Sequence, residues 1–264
     1  MSLNILVCVK RVPATGAKIT LTADEQEIDT RHLAFTVSPH EECAVEEAVR
    51  LVEKHGGSAT VLTLGPEEAT QQLRDALAMG VEHALLLETD GADWDPQATT
   101  EAIVDAIREA EEKAGQPFDL LLFGNEAADT GGYQVPIRVS HTLDRPCVTG
   151  IKGLEIDGEA GDRITATARR ETTGGWELYA VSTPAVFSVK EGINLPRYPP
   201  LRGKLRAKKK PIQQTSPAYT AGGLQKIRLR VPEEQAQQAQ HLGSGVAAVP
   251  NILAVLKEME FVES

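Results

Sequence analysis

Three glycines have the clearest chemical use in this chain. Gly124, Gly131 and Gly132 lie between an apolar run at residues 120–123 and a helix-forming run that begins near Tyr133 or Gln134. Lacking a Cβ, they let backbone N–H groups approach a ligand closely, and the following helix points its positive end at the same place. That arrangement suits an anion, and a phosphate in particular. The same residues also suit an ordinary strand-to-helix loop that uses glycine for turning, so from these residues alone both readings stand. Cations are available nearby: the apolar run at residues 5–9 ends in Lys10-Arg11-Val12-Pro13, and in open α/β sheets the carboxyl ends of strands are where ligands bind.

No catalytic constellation accompanies these features. GxSxG, GxxxxGK[ST], HExxH and GxGxxG are all absent from the sequence, so a bound ligand must be held by a different loop design. Glu41, Glu42, Glu46 and Glu47 crowd one helix start, where solvated charge and compensation of the helix dipole explain them without a general-acid role. The histidines show no paired spacing. His40 alone sits beside a candidate ligand loop, either as a nucleotide contact or as an exposed first-turn residue. Cys8, Cys43 and Cys147 are far apart, with no CxxC, and read as small buried apolar residues in a reducing compartment.

The elements that must position these groups alternate. Ser38, Pro39 and Glu41 give a capping residue, a proline at the first helical position and a capping box. The helix they start runs to about Lys54, with Cys43, Val45, Ala48, Val49 and Val52 on its buried face. Strands at residues 59–64 and 83–87, helices at 67–79 and around Ile103 and Ile107, and the strand at 120–123 follow in order. Residues 18–21 and 26–28 read as a short hairpin. Strand and helix alternating in this way predict a doubly wound, mostly parallel α/β sheet, Rossmann-like in its winding. After Pro146 come strand-like segments at 147–154, 163–169, 176–181 and 185–189 without helices, an antiparallel addition. The resulting division is an α/β domain over 1–190 (the addition at about 147–190), a loop and basic segment over 191–212, and an arm over 213–264 that ends in an amphipathic helix.

Composition sets limits on partners. With 264 residues, 41% hydrophobic and 25% charged, the chain has enough apolar content for a large core, and a formal charge of -11 argues against nucleic-acid or anionic-membrane affinity. No run approaches the ~18 apolar residues of a membrane span. The N-terminal apolar run is too short for a signal peptide, so a cytoplasmic protein is expected, or a mitochondrial-matrix one in a eukaryote.

Several ordered blocks are distinctive: LVCVKRV (6–12), SPHEECAVEEAVRL (38–51), LGPEEATQQLRDALAMG (64–80), the glycine loop, RRETTGGWELYAVSTPAVFSV (169–189) and NLPRYPPLRGKLRAKKKPI (194–212). Together they resemble the β subunit of electron-transfer flavoproteins. The resemblance implies an electron carrier, not an enzyme: a heterodimer with an α subunit holds FAD, accepts electrons from dehydrogenases such as acyl-CoA dehydrogenases and passes them on. It also implies a structural AMP. By motif position the AMP contacts would be Cys8; Ser38, Pro39, His40 and Glu41; Leu64, Gly65 and Pro66; and Gly124, Asn125, Glu126, Ala127, Ala128, Asp129, Thr130, Gly131, Gly132, Tyr133, Gln134 and Val135. A minority of the family is electron-bifurcating and holds a second FAD there, but the loop Pro13-Ala14-Thr15-Gly16-Ala17 lacks the polar character of that class and favours AMP. An adenine-nucleotide-binding enzyme of similar fold is the other alternative. By the same resemblance Leu201 would insert into the partner dehydrogenase, and Glu171 would release the mobile flavin domain. Read without the resemblance, Leu201 starts a helix packed on its own domain and Glu171 is a surface carboxylate.

Overall fold

The structure, a computed structural model, describes residues 2–14, 16, 18–160, 163–232 and 240–262. In chain order its elements are β1 (Leu3–Cys8), β2 (Val12–Pro13), β3 (Phe35–Thr36), α1 (Pro39–His55), β4 (Gly57–Gly65), α2 (Thr70–Met79), β5 (His83–Glu88), α3 (Pro96–Ala114), β6 (Leu120–Gly124) and α4 (Gln134–Thr142). They continue with β7 (Cys147–Ala160), β8 (Arg163–Thr172), β9 (Gly175–Ser182), β10 (Ala185–Val189), α5 (Leu201–Ala207), β11 (Gln213–Thr215) and α6 (Val249–Glu258). Met1–Arg228 form one compact unit and Leu229–Ser264 a second.

Among the described residues the main sheet has nine strands in the order β11-β5-β4-β1-β6-β10-β7-β8-β9. Pairing is parallel from β11 through β7 and antiparallel from β7 through β9. β10, expected in the antiparallel addition, is instead parallel to both β6 and β7 and buried throughout, as suits a central strand; in all else the doubly wound sheet with an antiparallel addition is the architecture that the order of strands and helices predicts. Two layers of core explain it. On one face Val45, Ala48 and Val49 of α1 and Leu73 and Leu77 of α2 bury against Ile5, Val7, Val61 and Leu122. On the other, Ile103 and Ile107 of α3 and Val139 of α4 bury against Leu6, Leu62, Leu121 and Phe123. Central strands covered on both faces are therefore apolar without alternation.

The short hairpin at 18–28 is present: the antiparallel bridge Leu21↔Ile28 is flanked by backbone bonds from the Thr22 N–H to the Glu27 carbonyl and from the Asp29 N–H to the Thr20 carbonyl, both 2.8 Å. Side chains tighten its turn, Asp24 Oδ1 accepting from Thr22 Oγ1 (2.6 Å) and from the Gln26 N–H (3.2 Å). The regular pairing of that excursion forms farther out, between β2 and β3, where the Arg11 guanidinium covers the Phe35 ring at 3.4 Å. Within the stretch read as an arm, Gln213–Thr215 return to the sheet and extend it beyond β5. The basic segment before it is equally tied down: Lys210 Nζ donates to the Val81 carbonyl at 2.9 Å. In the second unit, α6 buries no residue and leaves Ile252 and Leu253 exposed.

The start of β4 is the tightest backbone approach in the sheet. A Cβ on Gly57 would stand 1.9 Å from the Leu3 carbonyl oxygen, and its φ is +113°. Gly57→Ala should cost about 3 kcal/mol or more, through clash and left-handed strain together. Gly115→Ala, at a helix C-cap with φ +67° and open space around it, should cost only about 1 kcal/mol. Urea denaturation of both variants checks the contrast.

Candidate functional site

Connections from β1 leave first toward β4 and β5, and later return on its other side to β6. The strand order therefore reverses between the carboxyl ends of β1 and β6, and in such sheets the crevice at that reversal is where ligands bind. Cys8 ends β1 and Gly124 ends β6.

The N-terminus of α1 closes one side of this crevice. Ser38 caps the helix with its side chain accepting from the Glu41 N–H at 3.2 Å, and the Glu41 carboxylate reaches back to the Ser38 N–H at 3.1 Å. The other Glu41 oxygen accepts from the Lys10 N–H at 3.0 Å. One buried carboxylate thereby joins the chain leaving β1 to the start of α1. Gly124 is what lets β6 come so near, since a Cβ there would meet Glu41 Cγ at 2.6 Å. Burial pushes the Glu41 carboxyl up to about 7, outweighing the donors from Ser38 and Lys10 that hold it down. Burial likewise pushes the Cys8 thiol up, with Glu41 adding to the effect. That leaves it protonated and a poor nucleophile.

The loop after β6 forms the opposite wall. The Gly131 N–H donates to the Ala127 carbonyl at 2.8 Å and the Ala127 N–H to the Gly132 carbonyl at 3.0 Å, so the turn is closed by its own backbone. Gly131 has φ +61° and nothing within 4 Å of its Cβ position. No side chain caps the first turn of α4, where Tyr133 is the cap residue. Its leading N–H groups are the kind that an anion satisfies. The loop's carboxylates are occupied: Asp129 pairs with Lys10 Nζ at 2.7 Å, and Glu126 accepts from the Tyr133 hydroxyl. Asn125 anchors the loop base, its Oδ1 accepting from Ser188 Oγ at 3.0 Å, while that oxygen accepts from the Gly150 N–H at 2.9 Å.

Leu64, Gly65 and Pro66 end β4 on the same edge of the sheet, one strand away, where the Gly65 carbonyl accepts from the Thr89 N–H at 3.0 Å. His40 Nδ1 accepts from the Glu191 N–H at 2.7 Å, leaving the ring proton on Nε2, 3.7 Å from Glu126. Cys8, the α1 start, Gly65 and the loop Gly124 to Val135 thus share one edge.

This chain belongs to the electron transfer flavoprotein family. The model of the electron transfer flavoprotein domain matches residues 27–219. The chain is 37% identical to the electron transfer flavoprotein subunit beta of Bacillus subtilis over 80% of its own length and 78% of that protein's. It is 36% identical to the beta subunit of Syntrophomonas wolfei over 89% and 88% of the two chains, and 36% identical to that of Mycobacterium bovis over 79% and 77%. Within that family its similarity is to the β subunits.

Two residues singled out by the family resemblance lie away from the crevice. Glu171 is exposed on β8 and paired with Lys152 Nζ at 2.5 Å. Leu201 begins α5 with its side chain exposed, while α5 itself packs on α2, a Cβ on Gly203 meeting the Ala78 carbonyl at 2.3 Å. The expectation of solvated carboxylates on α1 fails at three of four positions, because Glu41, Glu46 and Glu47 are buried. Partners distant in sequence supply the reason: Asn194 Nδ2 donates to Glu47 and Arg197 to Glu46. Only the Pro-Arg-Tyr motif hinted at Arg197, and nothing local indicated its target.

The Glu41 carboxyl yields a pH dependence with a definite sign. Its folded pKa of about 7 lies above the ordinary value of 4.5. The folded state thus holds the proton more tightly, and stability from this group is fully present below pH 4.5 and lost as pH rises through 7. Relative to Glu41→Gln, the native protein should lose on the order of 3 kcal/mol between those limits and nothing further above them. Denaturation series at stepped pH on both proteins give the difference curve, and a flat one would contradict the assignment.

Proposed function

We propose that this chain is the β subunit of a heterodimeric electron carrier, and that the crevice at the β1/β6 reversal holds a structural AMP. The observation that carries the reading is the convergence of an uncapped α4 start, an open Gly131 and a closed glycine loop on the crevice where α/β sheets bind nucleotides. In this reading the backbone around Gly131, Gly132 and Tyr133 receives the phosphate. Cys8, Leu64, Gly65 and Pro66 flank the nucleoside, and the Glu41 carboxylate keeps the two walls in register. A buried, protonated Cys8 suits an apolar contact in that role.

Redox chemistry is supplied by an FAD held together with the α subunit, while this chain's residues hold, orient and dock and make no bonds of their own. Electrons arrive from dehydrogenases at the exposed Leu201, flanked by Arg202, Lys204 and Arg206, cations suited to an acidic partner surface. Ile252 and Leu253 of α6 offer apolar surface to the α subunit. Three free cysteines fit a reducing, cytoplasmic setting.

Co-expression with an α subunit, followed by denaturation and chromatography of the released nucleotides, should yield a heterodimer with FAD and AMP. Two FAD and no AMP would make it a bifurcating carrier, and no flavin-containing heterodimer would overturn the proposal. Leu201→Ala should slow electron transfer from a dehydrogenase about tenfold, as loss of an apolar anchor does, with flavin and AMP content intact. Loss of flavin alongside would make the residue structural.

A further inference from the structure

Residues 190–197 lie along the outer flank of α1 as a strap. At its start the Glu191 N–H donates to His40 at the N-terminus of α1. Asn194 follows, donating to the Cys43 carbonyl at 3.0 Å and to Glu47 at 2.8 Å. Arg197 ends it with the densest set of polar contacts on the strap. Its backbone N–H and Nε donate to Glu46 Oε2 at 3.1 and 2.9 Å, and Nη2 donates to Glu46 Oε1 at 3.0 Å. The same guanidinium reaches two turns of helix farther, Nη1 to Glu53 Oε1 at 2.6 Å and Nη2 to Glu53 Oε2 at 2.8 Å. These two carboxylates hold the guanidinium well above its usual range, Glu53 and then Glu46 contributing most. A planar fork gripping two carboxylates fixes direction as well as position.

What the clamp fixes is an unusually apolar exposed stretch. Leu195 is 90% exposed, Tyr198 85% and Leu201 74%. Tyr198 is steadied from one side by Lys204 Nζ, 5.0 Å from its ring centre. Just beyond, α5 is held by Gly203 against α2 and by Arg74 Nη1, which donates to the Ala207 carbonyl at the end of α5 and to the Lys210 carbonyl beyond it. Residues 198–202 are therefore pinned at both ends, with Pro199 and Pro200 stiffening the middle. Without Arg197 the nearest upstream tether is Asn194, and the free span lengthens to 195–202.

We propose that Arg197, clamped by Glu46 and Glu53, is the positioning residue for docking: it holds the Leu201 segment in its binding-ready conformation, so the ordering cost is met at folding and not at encounter. The inference rests on the reading of Leu201 as the dehydrogenase anchor. A residue acting this way alters the affinity of the encounter and leaves the redox centre alone.

Its test is steady-state electron transfer from a reduced dehydrogenase to the purified heterodimer, with the heterodimer concentration varied, together with backbone hydrogen exchange at residues 198–202. Arg197→Lys keeps the charge but not the fork, and should raise KM about tenfold with kcat and flavin content unchanged and exchange accelerated. Glu53→Gln, at the exposed end of the clamp, should shift both readouts the same way by less, and it keeps the test open should Arg197→Lys fold poorly. If Leu201→Ala raises KM while neither clamp variant does, the positioning role is wrong and the anchor stands. If Leu201→Ala leaves KM unchanged, the anchor reading fails and takes the inference with it.

Discussion

The approach of β6 to the N-terminus of α1 is the constraint on which the rest depends. A Cβ at Gly124 would lie within 2.6 Å of Glu41 Cγ, so the two elements meet only because that position has no side chain. The contact brings a buried carboxylate to the β1/β6 reversal, where it accepts backbone donors from the end of β1 and from the helix cap. A carboxyl taken out of water is costly unless its oxygens are satisfied. Here both have donors, and the residual cost appears as the upward displacement of its pKa to about 7. The crevice is therefore tied together on its α1 side by one buried carboxylate, and on the facing side by the glycine loop's own backbone bonds.

α1 serves two layers at once. Its inner face, with Val45, Ala48 and Val49, closes one hydrophobic core, and its outer flank carries Glu46, Glu47 and Glu53 toward the strap at 190–197. Hydrophobic burial sets where the helix lies on the sheet, and paired charges set where the strap lies on the helix. Since the strap begins at His40 and ends beside the Leu201 segment, one helix relates the crevice at the β1/β6 reversal to the exposed apolar stretch around Leu201. A surface ion pair is usually worth little. Glu46 is an exception because it is buried and receives several donors from one guanidinium.

The sheet changes character along its width. From β11 to β7 it is parallel, and its middle strands are covered on both faces; β8 and β9 extend it antiparallel, and Trp176 and Leu178 of β9 remain exposed. Charge is as unevenly spread: the chain carries a net -11, yet cations cluster at residues 202–210. Both asymmetries sit outside the crevice.

Periodicity and punctuation in the sequence determined the doubly wound fold, because the burial that selects a parallel strand or an amphipathic helix acts within a few residues. The Ser38-Pro39 cap with Glu41 was legible for the same reason, and so was the glycine loop, since left-handed or crowded backbone demands glycine locally. Only the tertiary structure decided the raised pKa of Glu41, the burial of Glu46 and Glu47, the β2–β3 pairing beyond the hairpin, and the return of Gln213–Thr215 to the sheet edge. Each depends on parts of the chain far apart in sequence: the packing that buries Glu41, Arg197 for Glu46, β5 for β11. A charged side chain carries no sequence mark of whether its partner will be water or a distant guanidinium; that choice is made when helix and strap are brought together.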